Sequence, residues 1–272
     1  TTPYVNNISG IIACGGTAFT VTPTDGSGNI VPVGTKYTWT IATPNANLTG
    51  ATDQSLSQSI ISQTLTNTSI TPQSISYSVT PITSNNCLGD PFSINVTVNP
   101  TPQIATVTTP VICSDQTLSF TPVNVTNGII PAGTTYTWTV VPNANVTGES
   151  DITSPQSSIG LSQTLRNTTT TLQTVVYNVT PISSLNCSGA IFTLNVPVNP
   201  RPYIDNKSYA ICSNTAFTFI PVGGDKIPTG TTYSWTVASN TFVEGQSDQT
   251  NQTSISQTLI NKTTSQQTVV YT

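Results

Sequence analysis

The stretch Gly133-Thr134-Thr135-Tyr136-Thr137-Trp138-Thr139-Val140 decides the fold. Tyr136, Trp138 and Val140 alternate with Thr137 and Thr139, the period-two pattern of a strand with one face buried. The pattern returns as Tyr37-Thr38-Trp39-Thr40 and as Tyr233-Ser234-Trp235-Thr236, and these three places hold every tryptophan of the chain. The tryptophans lie 99 and 97 positions apart. A strand recurring at that interval marks one unit written three times.

Around each copy the same script repeats. In residues 1–100, Tyr4 to Ala13 reads as a first strand kinked at Ser9-Gly10, and Cys14-Gly15-Gly16 as a tight turn. Ala18 to Pro23 reads as a second strand, Thr24 to Gly34 as a loop, and Asn45 to Gly50 as the lead into a further loop. Ser59 to Leu65 is a strand. Ile75, Tyr77 and Val79 alternate along the next, and Phe92, Ile94, Val96 and Val98 along the last. Residues 101–200 copy this with Val175, Tyr177 and Val179 and with Phe192, Leu194, Val196 and Val198. Residues 201–272 follow through Phe217, Phe219, Trp235 and Tyr271. Strands with one apolar face must pair those faces. Each unit is therefore expected to be an all-β, immunoglobulin-like sandwich of about seven strands, with Tyr37, Trp39, Tyr77, Tyr136, Trp138, Tyr177, Tyr233, Trp235 and Tyr271 in the cores. The third unit stops one residue after Tyr271, before a last strand, so the sequence is expected to be a window on a longer array.

Composition narrows the function. Charged residues make up 6% of the chain and leave a net charge of −4 without a basic stripe, which argues against nucleic acid and anionic membrane as partners. No apolar run approaches the roughly 20 residues of a membrane-spanning helix. There is no His, so general acid–base work would fall to scattered carboxylates. No enzyme activity and no cofactor are expected. Asn99-Pro100-Thr101-Pro102 and Asn199-Pro200-Arg201-Pro202 join the units, and two prolines in four residues make a short, stiff joint.

The motifs Val111-Ile112-Cys113-Ser114, Gly133 to Thr139, Val175-Val176-Tyr177-Asn178-Val179-Thr180-Pro181 and Val198-Asn199-Pro200-Arg201-Pro202 resemble the PKD-like, immunoglobulin-type repeats of giant cell-surface adhesins from gliding Bacteroidota. The resemblance covers the whole chain. It implies a secreted array at the cell surface, exported by a type IX secretion system, that serves gliding or attachment. The implied partners are neighbouring repeats, a surface or glycan ligand at a distal tip, and laterally associated arrays.

The cysteines are Cys14, Cys87, Cys113, Cys187 and Cys212. Without His or a close Cys-x-x-Cys pair, disulfides are a better reading than zinc. Two pairings are open. One joins cysteines within a repeat, Cys14 to Cys87 and Cys113 to Cys187. The other joins Cys14 to Cys187 across the joint, leaving Cys87, Cys113 and Cys212 to partners outside the chain. Topology favours the second. The first cysteine of each repeat ends the first strand and the second precedes the last strand. These strands run parallel in such a sandwich, so the two turns lie at opposite ends, beyond the ~7 Å Cα reach of a disulfide.

Three further sets recur. Asp53, Asp151 and Asp248 each follow a glycine by three positions and are weak calcium candidates, one carboxylate being few for a cation that takes six to eight oxygens. A turn-capping role fits them better. Gln63, Gln163 and Gln257 share parity with apolar neighbours and read as buried amides. Tyr77, Tyr177 and Tyr271 stand where immunoglobulin-like folds place a tyrosine corner. The leading functional expectation is a rigid segment of a long adhesin filament. The alternative is a polymer- or carbohydrate-binding accessory module of a secreted enzyme, and exposed Tyr4, Tyr203 and Tyr209 are the residues that discriminate.

Overall fold

A computed structural model describes the backbone of residues 1–272 and every side chain except those of Leu161 and Ser162. The elements among the described residues are all strands, in three successive groups. In the first repeat the larger sheet runs, in spatial order, Ile8–Cys14, Phe92–Asn99, Gln73–Ile82, Lys36–Thr43 and Gln54–Gln58. The first pair is parallel and the others are antiparallel. Ala18–Val21 pairs with Ile61–Thr64 in the opposing layer. The parallel pair sets the polarity on which the joint depends: the first strand leaves its repeat at the end where the last strand also leaves.

The second repeat repeats this plan. Val107–Thr108 and Ile112–Cys113 both pair parallel with Phe192–Asn199. Pro110 stands between them, and a residue without an N–H breaks the ladder there. Phe192–Asn199 pairs with Gln173–Ile182, which pairs with Thr135–Val141, whose far neighbour is Ile152–Gln156. Gln116–Phe120, Ile159–Asn167 and Val146–Thr147 make the second layer.

The alternation read from the sequence sets which side chains are buried. Tyr77, Val79, Ile94, Val96 and Val98 have no more than 0% exposure, and the same holds for Tyr177, Val179, Leu194, Val196 and Val198. Each fully buried aliphatic side chain contributes about 1.5–3 kcal/mol relative to exposure. These residues, with Tyr37, Trp39, Tyr136 and Trp138, form one core per repeat.

The structure differs from expectation in two places. Residues 54–58 and 152–156 are edge strands, paired to the Tyr-x-Trp strand through a register jump between Tyr37 and Trp39 and between Tyr136 and Trp138. Their outer positions carry polar groups or an exposed Leu56, so they lack the alternation that marks a strand. The second difference is in the third repeat. Trp235 is buried, but Tyr233 and Tyr271 are only half-buried, against their expected place in a core. The strands that cover their counterparts, Phe92–Asn99 and Phe192–Asn199, have no equivalent within the 272 residues.

The glycine that precedes each Asp explains itself sterically. Gly50, Gly148 and Gly245 adopt φ of +89°, +95° and +89°, and a Cβ there would sit 2.3, 2.0 and 2.1 Å from the carbonyl oxygens of Thr64, Thr164 and Thr258. Left-handed backbone and close approach both exclude a side chain.

Candidate functional site

Three candidate sets recur in every repeat, and geometry sorts them. Asp53, Asp151 and Asp248 each accept a main-chain N–H from the Tyr-x-Trp strand, from Ile41, Val140 and Val237 at 2.7, 2.8 and 2.8 Å. The carboxylates hold the loop against the strand two residues beyond Trp39, Trp138 and Trp235.

The glutamines and tyrosines form one relay. The Trp39 indole N–H and the Gln63 amide both donate to the carbonyl of Thr52, at 3.2 and 2.6 Å, and the Tyr77 hydroxyl donates to Gln63 Oε1 at 2.7 Å. The same three bonds join Trp138, Gln163, Ser150 and Tyr177, and again Trp235, Gln257, Ser247 and Tyr271. The tyrosine thus bonds a side-chain amide, where a tyrosine corner bonds backbone. The relay gives the indole N–H, the glutamine amide and the Tyr77, Tyr177 or Tyr271 hydroxyl of each repeat a hydrogen-bond partner inside the sandwich.

Burial pushes the Tyr77 and Tyr136 phenols up to about 12. Tyr177 is pushed up further, by burial and then by Glu149. An unfolded chain releases these protons near pH ~10. The folded state holds them more tightly, so their contribution to stability is complete below pH ~10 and is lost as the pH rises through the folded values. A phenolate also cannot donate to Gln63 or Gln163. Alkaline titration is therefore expected to lose the β-sheet circular dichroism above pH ~10, together with the appearance of tyrosinate absorbance. Independent titration of all tyrosines with the sheet intact contradicts this.

The joint between the first two repeats is where separate elements converge. Cys14 is half-buried at the end of the first strand, with Asn99 as its partner on the last strand. Gly15 N donates to Asn99 O at 2.9 Å, and the Thr101 hydroxyl donates to Gly15 O at 2.8 Å. Pro100 and Pro102 are both buried. From the second repeat comes the turn 183–187, closed by Ser183 N to Cys187 O at 3.0 Å. Gly189 lies directly on the joint: a Cβ there would stand 2.1 Å from Pro102 O. This seats Cys187, at 0% exposure, beside the end of the first repeat. Cys14 and Cys187 are disulfide-bonded, with Cα atoms 5.5 Å apart. Cys14 to Cys87 and Cys113 to Cys187, the pairing within repeats, is absent. A disulfide across the joint places the chain in an oxidising, extracellular setting.

Cys87, Cys113 and Cys212 are exposed thiols. Cys113 pairs with Asn199 as Cys14 does with Asn99, and the Cys87 turn is closed by Thr83 N to Cys87 O at 3.0 Å, as the Cys187 turn is by Ser183. The second joint is built differently. Pro200 is half-buried and Pro202 exposed. Asp115 faces Arg201 at 3.4 Å and Arg166 at 3.9 Å, and Lys226 of the third repeat donates to the Thr168 carbonyl of the second.

Sequence reading missed two residue types here. Asn67 and Asn167, almost fully buried, each donate at 2.8 Å to the carbonyl of Val98 or Val198 and so lock the end of the last strand before the joint. They sit in turns rich in Asn, Thr and Ser, where nothing distinguishes a buried amide from an exposed one. Gly89 and Gly189 read as ordinary turn glycines, because their role is a close approach to a distant segment.

Tyr4, Tyr203 and Tyr209 are exposed by 45%, 51% and 48%. Tyr4 and Tyr203 hold equivalent places, each bridging to the loop at Ile30 or Lys226, but Gln103 takes that place in the second repeat. The aromatics do not run along the array.

Residues 12–102, 110–202 and 209–272 each match the model of the PKD-like domain. No curated protein matches the chain. Among solved structures it is similar to the fibronectin(III)-like modules of Clostridium thermocellum CbhA, at 9% identity and TM-score 0.26, covering 71% of this chain and 91% of that one. Zebrafish RET cadherin-like domains 1 to 4 match at 15% identity and TM-score 0.23, over 74% of this chain and 51% of theirs. SGBP-B of a Bacteroides ovatus mixed-linkage glucan utilization locus matches at 13% identity and TM-score 0.20, over 94% and 57%. A sandwich written three times, with an aromatic relay in each copy, is thus a tandem array of immunoglobulin-type units, and the chain belongs to the PKD-like domain family.

Proposed function

We propose that the chain is a non-catalytic, stiff spacer within a long secreted adhesin filament at a cell surface, of the kind that serves gliding or attachment. The observation that carries this reading is the covalent bond across the joint, set beside two buried prolines. A joint that only connected two independent modules would need neither. The partners on this reading are neighbouring repeats and a surface or glycan ligand bound at a distal tip.

On this reading the edge strands at 54–58, 152–156 and 249–252 are not the surface through which arrays would associate laterally. Gln54 and Gln58 both donate side-chain N–H groups to the carbonyl of Leu56, at 3.0 and 3.2 Å. Gln156 does the same for Ser154, and Gln252 for Thr250. An edge that occupies its own acceptors is a poor template for another strand.

Small-angle scattering of the oxidised chain, with and without a dithiol, tests the spacer. An extended rod whose long dimension stays fixed over the ensemble, and which bends only after reduction, supports it. Free bending at the first joint in the oxidised chain overturns it. A glycan array decides the alternative reading: saturable binding lost on replacing Tyr4, Tyr203 and Tyr209 would make this a polymer-binding module.

A further inference from the structure

The Cys14–Cys187 bond spans 173 positions of sequence. One end closes the first strand of the first repeat, Ile8–Cys14. The other lies in the turn between Gln173–Ile182 and the last strand of the second repeat, Phe192–Asn199. Tension applied to the two ends of the chain runs along residues 1–13 to Cys14, crosses the sulfurs to Cys187, and leaves through residues 188–272. Everything from residue 15 to residue 186 lies inside a closed covalent loop. That loop holds all of the first sandwich except its first strand, the whole joint 99–102, and all of the second sandwich except its last strand.

We propose that this disulfide shields residues 15–186 from tension, which is both sandwiches apart from their two outer strands, together with the joint between them. The inference deepens the spacer reading and rests on it for its biological sense, but the physical argument rests on connectivity alone. An unshielded sandwich that yields under load pays out its whole chain at about 3.3–3.6 Å per residue. Residues 15–186 would add on the order of 500 Å. With the sulfurs joined they add nothing, whether folded or unfolded, because the loop hangs from one point. Only the outer strands can be stripped. Ile8–Cys14 is held along its length by the parallel partner Phe92–Asn99, and Phe192–Asn199 is held by Gln173–Ile182 on one side and by Ile112–Cys113 on the other.

The third repeat has no such loop, since Cys212 is a free thiol. It is therefore an internal reference, able to unfold and lengthen in the same molecule. The equivalent placement of Cys113 and Cys14, and of Cys87 and Cys187, extends the device. Where the same bond forms at successive joints, each closed loop overlaps the next and every sandwich is shielded.

The test is single-molecule stretching of the whole chain, held at its two ends, with Cys87, Cys113 and Cys212 replaced by serine to exclude other thiol chemistry. Oxidised, the chain is expected to lengthen by roughly a third of its full contour, from residues 1–13 and 188–272. After a dithiol is added to the same folded molecules, the releasable length should rise roughly threefold. Full release from the oxidised chain, with the disulfide intact by mass spectrometry, overturns the proposal while leaving the rod shape standing. Conversely, glycan binding would displace the spacer reading without changing the released length. Using reductant on folded wild-type cysteines keeps the outcome independent of whether Cys14→Ser folds.

Discussion

Replacing Trp138 with alanine is expected to cost the second repeat about 3–5 kcal/mol, the range for emptying a large aromatic site in a packed core. Trp138 is 3% exposed and lies among Tyr136, Val179, Phe192 and their neighbours in one cluster. Its indole N–H also fills half of the Ser150 carbonyl, which Gln163 shares. A domain of this size has about 5–15 kcal/mol in total. The variant should therefore sit near its unfolding threshold. Hydrogen exchange should show fast exchange spread over residues 101–200 and unchanged protection in Lys36–Thr43 and Gln73–Ile82 of the first repeat. Trp138→Phe keeps most of the volume and loses the N–H. It should cost clearly less, which separates packing from the hydrogen bond.

The second large effect concerns the disulfide. Changing Cys14 and Cys187 together to serine is expected to destabilise the first two repeats by about 3–5 kcal/mol. A cross-link acts chiefly on the unfolded chain, where it forbids separations a free chain explores, and the effect grows slowly with loop length. A loop closed over 173 positions lies at the long end. The loss should appear in urea unfolding as lower midpoints for the transitions reported by Trp39 and Trp138. Trp235 lies outside the loop and should report an unchanged midpoint. A uniform fall in all three would mean the cysteines act on the array in some other way. The double replacement also avoids leaving a thiol at the fully buried Cys187 site.

Much of this was legible in the sequence because β-sandwich cores are written in alternation. Tyr136, Trp138, Val175, Tyr177, Val179 and the run from Phe192 to Val198 all carry their burial on their parity. The joint was legible for another reason: parallel first and last strands put the two turns of one repeat at opposite ends, and that is a statement about topology, not about any side chain. What stayed hidden depends on distant segments. Gly189 is a glycine because Pro102 O occupies the place of its Cβ, and Asn167 is buried because Val198 O needs a donor. The edge strands at residues 54–58 and 152–156 were missed because an edge exposed on its outer side has no apolar alternation to read. Tyr233 and Tyr271 carry the parity of core residues, yet parity describes which way a side chain faces, not whether a neighbouring strand arrives to cover it.

The first two repeats are joined covalently across Asn99-Pro100-Thr101-Pro102. The most direct measurement is disulfide mapping. The natively folded chain is alkylated without reduction, digested, and its cross-linked peptides are identified by mass spectrometry. One linked pair carrying Cys14 and Cys187 is expected, with alkylated Cys87, Cys113 and Cys212. Linked pairs of Cys14 with Cys87 and of Cys113 with Cys187 would contradict it.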